Sequence, residues 1–299
     1  MDILALVAAF GGGVVGAYIG AVPAFVMTGV FALVGGVVTA AGVDGGVAIN
    51  AIAFGSFLGP HIAFAGGVAA AAYAGKKKII PSGTDVVSCL NGTGAPDVLL
   101  VGGVFGVIGY IIATLIGMTP LGPLTDLPGI TVVISAIIAR YAFGQTGIVG
   151  KYTGSGPRVW FSTGKGFLYN VILGGGLGIA VSFVAATLYN AGNEVALGIF
   201  PIICFGFSAT TLLFACGGLA CPATHHIALP AGLAAVVGLH AFGAGGAVLG
   251  VLFGILGSLG GDLFGNTFNS HCDSHIDPPA TTIFILTIVI NLIGKALGV

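Results

Sequence analysis

The residues best suited to chemistry lie in one short stretch near the end of the chain, NSHCDSHIDPP at residues 269–279. It holds two His, one Cys and two Asp in a sequence of which charged residues make up only 6%. Imidazole, thiolate and carboxylate groups together suit zinc or a similar metal ion. The stretch predicts a metal site with His271, Cys272, Asp273 and His275 as ligands, although it lacks HExxH or CxxC spacing. A polar loop at the membrane surface and the mouth of a pathway are the alternatives.

Asp277, in the same stretch, has a counterpart in the first half of the chain. Asp126 lies two residues and Asp277 one residue before a proline, and both open into long apolar runs, residues 130–139 and 280–293. An Asp at this position is a favourable N-cap, so helix capping alone would explain the pair. A carboxylate within a membrane is costly and often functional, and a cap can also be a ligand. We expect Asp126 and Asp277 to cap helices that start inside the membrane and to line an ion pathway.

A second matched pair is His61 and His226, with His225 beside the latter. His61 and His226 each lie at the start of an apolar run. A proline that would interrupt a helix precedes each run, Pro60 in the first half and Pro222 in the second. A lone buried His is usually a packing residue. At matched positions, however, these side chains would face a shared central pathway and could relay protons, hydrogen-bond a neutral solute or bind a metal.

Two further polar residues are pathway candidates without a matched partner. Asp262 lies in the ninth predicted span and would be either a buried ion-coupling carboxylate or a residue at the water boundary. Asn50 precedes the break in the third span, where it would line a cavity or satisfy exposed backbone groups.

The chain that must position these residues has the composition of an integral membrane protein. Hydrophobic residues make up 57% of it and the mean hydropathy is +1.13, whereas soluble domains are about a quarter charged. The apolar runs are long enough for helices and lack the short alternation of a porin-type barrel. The 55 glycines favour closely packed helices in a lipid bilayer. A net charge of -1 argues against nucleic acid, and five Cys without CxxC spacing argue against a disulfide framework.

Hydropathy predicts an all-α fold of about ten transmembrane helices, five in each half. The third is interrupted at Gly59-Pro60, as two half-helices or a re-entrant hairpin. The spans cover residues 3–21, 23–42, 48–75, 98–118, 128–145, 166–189, 196–215, 223–241, 244–263 and 280–297.

Four short segments recur in the same order in both halves, which indicates an internal duplication. We therefore divide the chain into two membrane repeats, residues 1–150 and 151–299. The matched segments are 10–13 with 173–176, 60–64 with 225–229, 104–109 with 252–257, and 126–128 with 277–279.

Five spans per repeat would give the two repeats opposite orientations, as in many transporters. Basic residues favour the cytoplasmic side, which places both termini outside and leaves only Lys295 on the wrong side. The N-terminus shows no cleavable signal peptide. The basic residues that set the orientation are Lys76, Lys77, Lys78, Arg140, Lys151, Arg158 and Lys165.

Together these features predict a multi-pass transport protein of the cell membrane, a carrier or channel, and not an enzyme. It would move a small cation such as sodium, a proton or a divalent metal along the repeat interface, and a bound sodium or zinc ion would be its only cofactor. The alternatives are a channel for a small neutral solute and a membrane subunit of a larger ion-translocating complex. If the protein is not a subunit of a larger complex, the expected assembly is a homo-oligomer. An intramembrane metalloenzyme ranks last.

Overall fold

Helices and their connections make up the whole of the chain that the structure describes, residues 2–221 and 223–299 of a computed structural model. Helix accounts for 74% of the residues, and no strand is present in these two ranges. The predicted break at Pro222 lies outside the described residues. The all-α class is therefore confirmed.

Eleven α-helices are present in the described ranges, with short 3-10 and π-helical turns between some of them. The α-helices are α1 (Ile3–Ile19), α2 (Ala21–Ala40), α3 (Ala65–Lys76), α4 (Pro96–Gly117), α5 (Leu127–Phe143), α6 (Lys165–Asn190), α7 (Glu194–Thr210), α8 (Leu212–Cys216), α9 (His225–Phe242), α10 (Val248–Phe268) and α11 (Pro278–Leu297). The π turns are Val47–Ala53 and Pro60–Phe64, and the 3-10 turns are Leu90–Thr93, Gly122–Leu124 and Gly243–Ala247.

Six helical stretches in the described ranges are long and apolar enough to cross a membrane. One of them, His225–Phe268, contains both α9 and α10. Two shorter helices, α1 and α5, are also apolar. The protein is thus built as a helical membrane protein, with long apolar side chains facing outward along α1, α6 and α10.

The third predicted span is broken at the expected place. The π turn Val47–Ala53 ends at Phe54, and a new helix starts at Pro60 and continues as α3. Proline has no N–H and disfavours helix at the preceding residue, which is why the helix cannot run through Gly59-Pro60. The hydroxyl of Thr28 donates to the carbonyl oxygen of Leu58 at 2.6 Å, so a backbone group freed by the break is satisfied.

Glycines let neighbouring helices of each half pack with their backbones in direct contact. A Cβ at Gly106 in α4 would collide with the carbonyl oxygen of Ala9 in α1, and α10 approaches α6 in the same way at Gly254. The two halves meet where α2 crosses α7. Gly29 and Gly206 lie against each other at this crossing. The halves also meet at the first turns of α5 and α11, which frame the cavity described next.

Candidate functional site

A cavity of about 400 Å³ lies between the two halves, beside the break in the third span. Most of its wall is apolar. Four aromatic rings and four polar side chains stand out among the lining residues: Phe25, Phe54, Phe64, Phe205, Asp126, Asp277, His225 and His275. Both predicted carboxylates therefore face the same space.

Asp126 caps α5 and keeps one oxygen atom free. Its Oδ1 accepts the backbone N–H of Gly129 at 2.6 Å, while no donor within the described residues reaches Oδ2. The hydroxyl of neighbouring Thr125 is buried and has no partner in the described ranges. The first half thus presents the cavity with a carboxylate oxygen that is available to a ligand.

Asp277 caps α11 but has both oxygens occupied. Oδ2 accepts the N–H of Ala280 at 2.7 Å, and Oδ1 lies 3.0 Å from Nε2 of His275. The other ring nitrogen of His275 lies 3.2 Å from Nδ2 of Asn269, whose Oδ1 accepts the N–H of Ile276. Because that backbone bond fixes the amide, Nδ2 of Asn269 donates to Nδ1 of His275. In this arrangement the Nε2–H of His275 donates to Oδ1 of Asp277.

The helices α5 and α11 start side by side and run in opposite directions. Gly129 in the first turn of α5 lies against Ala280 in the first turn of α11. Eleven residues further along α11, Asn291 donates to the carbonyl oxygen of Leu124, which precedes α5, at 2.9 Å. Eleven residues in a helix span about 16 Å, so parallel helices would not allow this bond.

The reciprocal contact is made by Arg140, eleven residues after Gly129. Arg140 is 1% exposed and donates to the carbonyl oxygen of Ser274 at 2.6 Å and to its hydroxyl at 2.9 Å. It also donates to the carbonyl oxygen of Ile148 and to the sulfur of Cys272. Each helix thus holds the segment that precedes the other helix.

His225 and His226 lie on two neighbouring cavities. His225 lines the central one, and His226 lines a second cavity of about 250 Å³ that also includes Asp262. Their rings are in contact, with centroids 5.9 Å apart. Pro278 and Pro279 line both cavities. Five of the predicted pathway residues, Asp126, Asp277, His225, His226 and Asp262, are therefore brought to two adjoining spaces.

Two predicted pathway residues lie elsewhere. His61 is buried at the start of the helix after the break, but it lines neither of the two cavities, because its ring packs against Gly59. Asn50 is exposed within the π turn Val47–Ala53 and also lines neither cavity. The matched position of His61 and His226 therefore gives the two residues different surroundings.

The metal site predicted at residues 271–275 is not assembled. In residues 2–221 and 223–299 no group of three or more His, Cys, Asp or Glu side chains is placed to hold a metal ion. His271 is exposed against the ring of Tyr152. Asp273 accepts the N–H of Gln145 and the hydroxyl of Thr146. His275 turns away to Asp277, and the four side chains are separated by these contacts.

Cys272 also has a partner of its own, because its sulfur accepts a hydrogen bond from Arg140. Burial raises the pKa of its thiol, and the neighbouring guanidinium groups of Arg140 and Arg158 oppose the shift only in part. The stretch is a loop that residues between the two halves hold in place, and its members that line the central cavity are His275 and Asp277.

Several site residues have no signal in the sequence. The four Phe of the cavity come from α2, α7 and the two ends of the break, at positions with no shared spacing. Asn269 belongs to the polar stretch, but only the fold shows that it orients His275. An isolated polar residue in a mostly apolar chain, such as Asn291 in α11, was the one signal that could have pointed to the contact with Leu124.

Comparison with protein-family models finds a match to a family of unknown function (DUF7973), over residues 1–157 and 170–299. No curated protein and no solved structure matches the chain.

Proposed function

From the premise that this chain belongs to the family of unknown function DUF7973, we propose that it is a membrane transport protein that moves a small cation through the central cavity. The observation that carries the proposal is the meeting of Asp126 and Asp277 on that cavity, each at the start of a helix from one half of the chain. Carboxylates inside an apolar protein of this kind mark ion and substrate sites, and helix starts are where transporters place them.

The proposal includes two inverted repeats of five crossings. Helix packing supports it, because matched glycines make matched contacts. A Cβ at Gly109 would collide with the carbonyl oxygen of His61, and a Cβ at Gly257 with that of His226. The reciprocal bonds of Arg140 and Asn291 add to this support.

The crossing of α2 and α7 supports a twofold axis between the repeats. Gly29 lies against Gly206 and Thr210, while Gly206 lies against Gly29 and Leu33. Each glycine thus lies against the other glycine and against the residue four positions after it. Such equivalent contacts are expected where two copies of one surface meet across a twofold axis. The proposal places the cavity beside this axis and both termini outside the membrane. All ten predicted spans contain helical segments with bounds within a few residues.

Proteoliposome flux tests the function. Purified protein would be assayed with a panel of inorganic and organic cations and with urea as a neutral solute. We expect flux of a cation that falls at least about tenfold in Asp126→Asn, because a charged partner of the cargo is lost while the cap is kept. Asp44→Asn is the matched control, since Asp44 is an exposed loop carboxylate that also accepts a backbone N–H.

Flux of urea that is unchanged in Asp126→Asn would overturn the cation pathway and make the carboxylates simple caps. Absence of any flux from folded protein would contradict transport by this chain alone and favour a subunit of a larger complex.

A further inference from the structure

We infer that the cargo site binds an organic ammonium ion, a protonated amine or quaternary ammonium with a small apolar body, rather than a bare inorganic ion. The inference rests on the proposed function for the site's role in transport, but the binding itself is independent of transport. It follows from the charge of the central cavity, the small number of its polar groups and its aromatic wall.

The charge of the cavity favours a cation. The cavity is lined by two carboxylates, Asp126 and Asp277, and none of the described lining residues is Lys or Arg. Helix N-termini usually attract anions through free N–H groups. In α11 the first two residues are prolines, and the next two N–H groups are bonded to Asp277.

The start of α5 is nearly as closed to an anion. Pro128 has no N–H, and the N–H groups of Gly129 and Ile130 both bond to Asp126. Only Leu127 is left with a free amide in the first four residues. The two helix starts therefore supply few donors, and the carboxylates determine the sign of the site.

The polar groups are too few for a bare metal ion. Calcium takes about six to eight oxygen ligands and magnesium about six. Of the four carboxylate oxygens at the cavity, three are already hydrogen-bonded, and Oδ2 of Asp126 is the one without a donor in the described residues. A volume of about 400 Å³ is instead within the range of small-molecule sites.

The aromatic wall matches an ammonium group. Phe25 contacts Phe64 and Phe205 with ring centroids 5.6 and 5.4 Å apart, and Phe54 lies 5.3 Å from Phe205. His225 extends the cluster at 4.6 Å from Phe25. Clustered rings around a desolvated cation are how proteins recognise quaternary ammonium groups.

His225 is a second, independent sign of a ligand. Its side chain lines the cavity and is 4% exposed, and its Nδ1 is buried without a hydrogen-bond partner in the described ranges. A buried polar atom usually has a partner. A hydroxyl or N–H on the cargo would supply one.

Calorimetric titration of the full chain in lipid nanodiscs tests the inference. The probes are choline, the neutral alcohol in which a tert-butyl group replaces its trimethylammonium group, and sodium chloride. Choline should bind at least about tenfold more tightly than the alcohol, as expected for a desolvated cation near rings and a carboxylate. Asp126→Asn should weaken choline binding about tenfold, and Phe205→Leu by a smaller factor, with thermal unfolding confirming the fold of both.

The controls are Asp44→Asn and Phe183→Leu, which change an exposed loop and a ring that is 72% exposed on the outer surface. Both should leave choline affinity unchanged.

Equal binding of choline and the alcohol, or an unchanged affinity in folded Asp126→Asn, would overturn the inference. Sodium flux in proteoliposomes without choline binding would overturn it and leave transport standing. Choline binding without flux of any cation would support the site and contradict the transport proposal.

Discussion

The two helix starts at the central cavity share one capping geometry but differ in the side chains that surround the capping Asp. Asp126 and Asp277 cap α5 and α11 through the same bond, to the N–H three residues later. In the second half His275 and Asn269 then fix the carboxylate, whereas the position that matches His275 in the first half is Leu124. Both oxygens of Asp277 are hydrogen-bonded, whereas Oδ2 of Asp126 has no donor within the described residues.

The same difference is found in the segments that lead to the two helices. Arg140 donates four hydrogen bonds, three of them to Cys272 and Ser274 ahead of α11. Asn291, at the matched place in α11, donates one bond to Leu124 ahead of α5. The segment ahead of α11 is therefore held by more hydrogen bonds than the segment ahead of α5.

The largest expected effect is a difference in the free energy of unfolding between variants of Arg140 and Asn291. Arg140→Met should lower the free energy of unfolding by about 3 kcal/mol, because it leaves the carbonyl groups of Ile148 and Ser274 buried without their donor. Asn291→Leu removes one bond and should cost about 1 kcal/mol. Titration with sodium dodecyl sulfate in mixed micelles measures both values.

Alkylation of Cys272 by a maleimide gives a local reading of the same change. The loop around Cys272 should react faster in Arg140→Met and at the native rate in Asn291→Leu, with exposed Cys89 as the internal reference. Equal losses of stability and equal alkylation rates in the two variants would contradict the asymmetry.

Gly109 and Gly257 test what the two halves share. Each faces the carbonyl oxygen of the matched His, so Gly109→Ala and Gly257→Ala should each lower the free energy of unfolding by about 2 kcal/mol through overpacking. Gly176→Ala is the control, since a Cβ there meets no atom within 4 Å. A large loss in one variant and none in the other would be incompatible with a shared backbone design.

Much of this comparison could be read from the sequence, because it depends on local rules. Asp before Pro predicts a capped helix, Gly59-Pro60 predicts a break, and a charge-poor chain predicts apolar helices. The match of the first glycine segment was less accurate. The sequence pairs residues 10–13 with 173–176, but the packing pairs Ala9 with Gly174 and Gly13 with Gly178, a shift of two residues. In a glycine-rich helix several registers look alike, and only the partner helix selects one.

The remainder depends on contacts between distant parts of the chain. Residues 271–275 have the composition of a metal site, but Asp273 bonds to Gln145 and Thr146, and Cys272 to Arg140. These partners are more than a hundred residues away in the sequence. The aromatic wall is likewise assembled from separate elements. Local pattern therefore identified the carboxylates, and tertiary contacts decided what surrounds each of them.

The smallest expected effect concerns the carboxylates themselves. Asp126→Asn should change the free energy of unfolding by less than about 0.5 kcal/mol, because an amide oxygen still caps Gly129. Asp277→Asn should cost about 1 kcal/mol, since its NH2 would face the Nε2–H of His275 and place donor against donor. Introducing His275→Leu makes the second half resemble the first and removes that clash. In this background Asp277→Asn should cost no more than Asp126→Asn, which the double-mutant cycle measures as a coupling of about 1 kcal/mol. Strictly additive effects would mean that His275 does not hold Asp277, and the difference between the two helix starts would then lie in the loops alone.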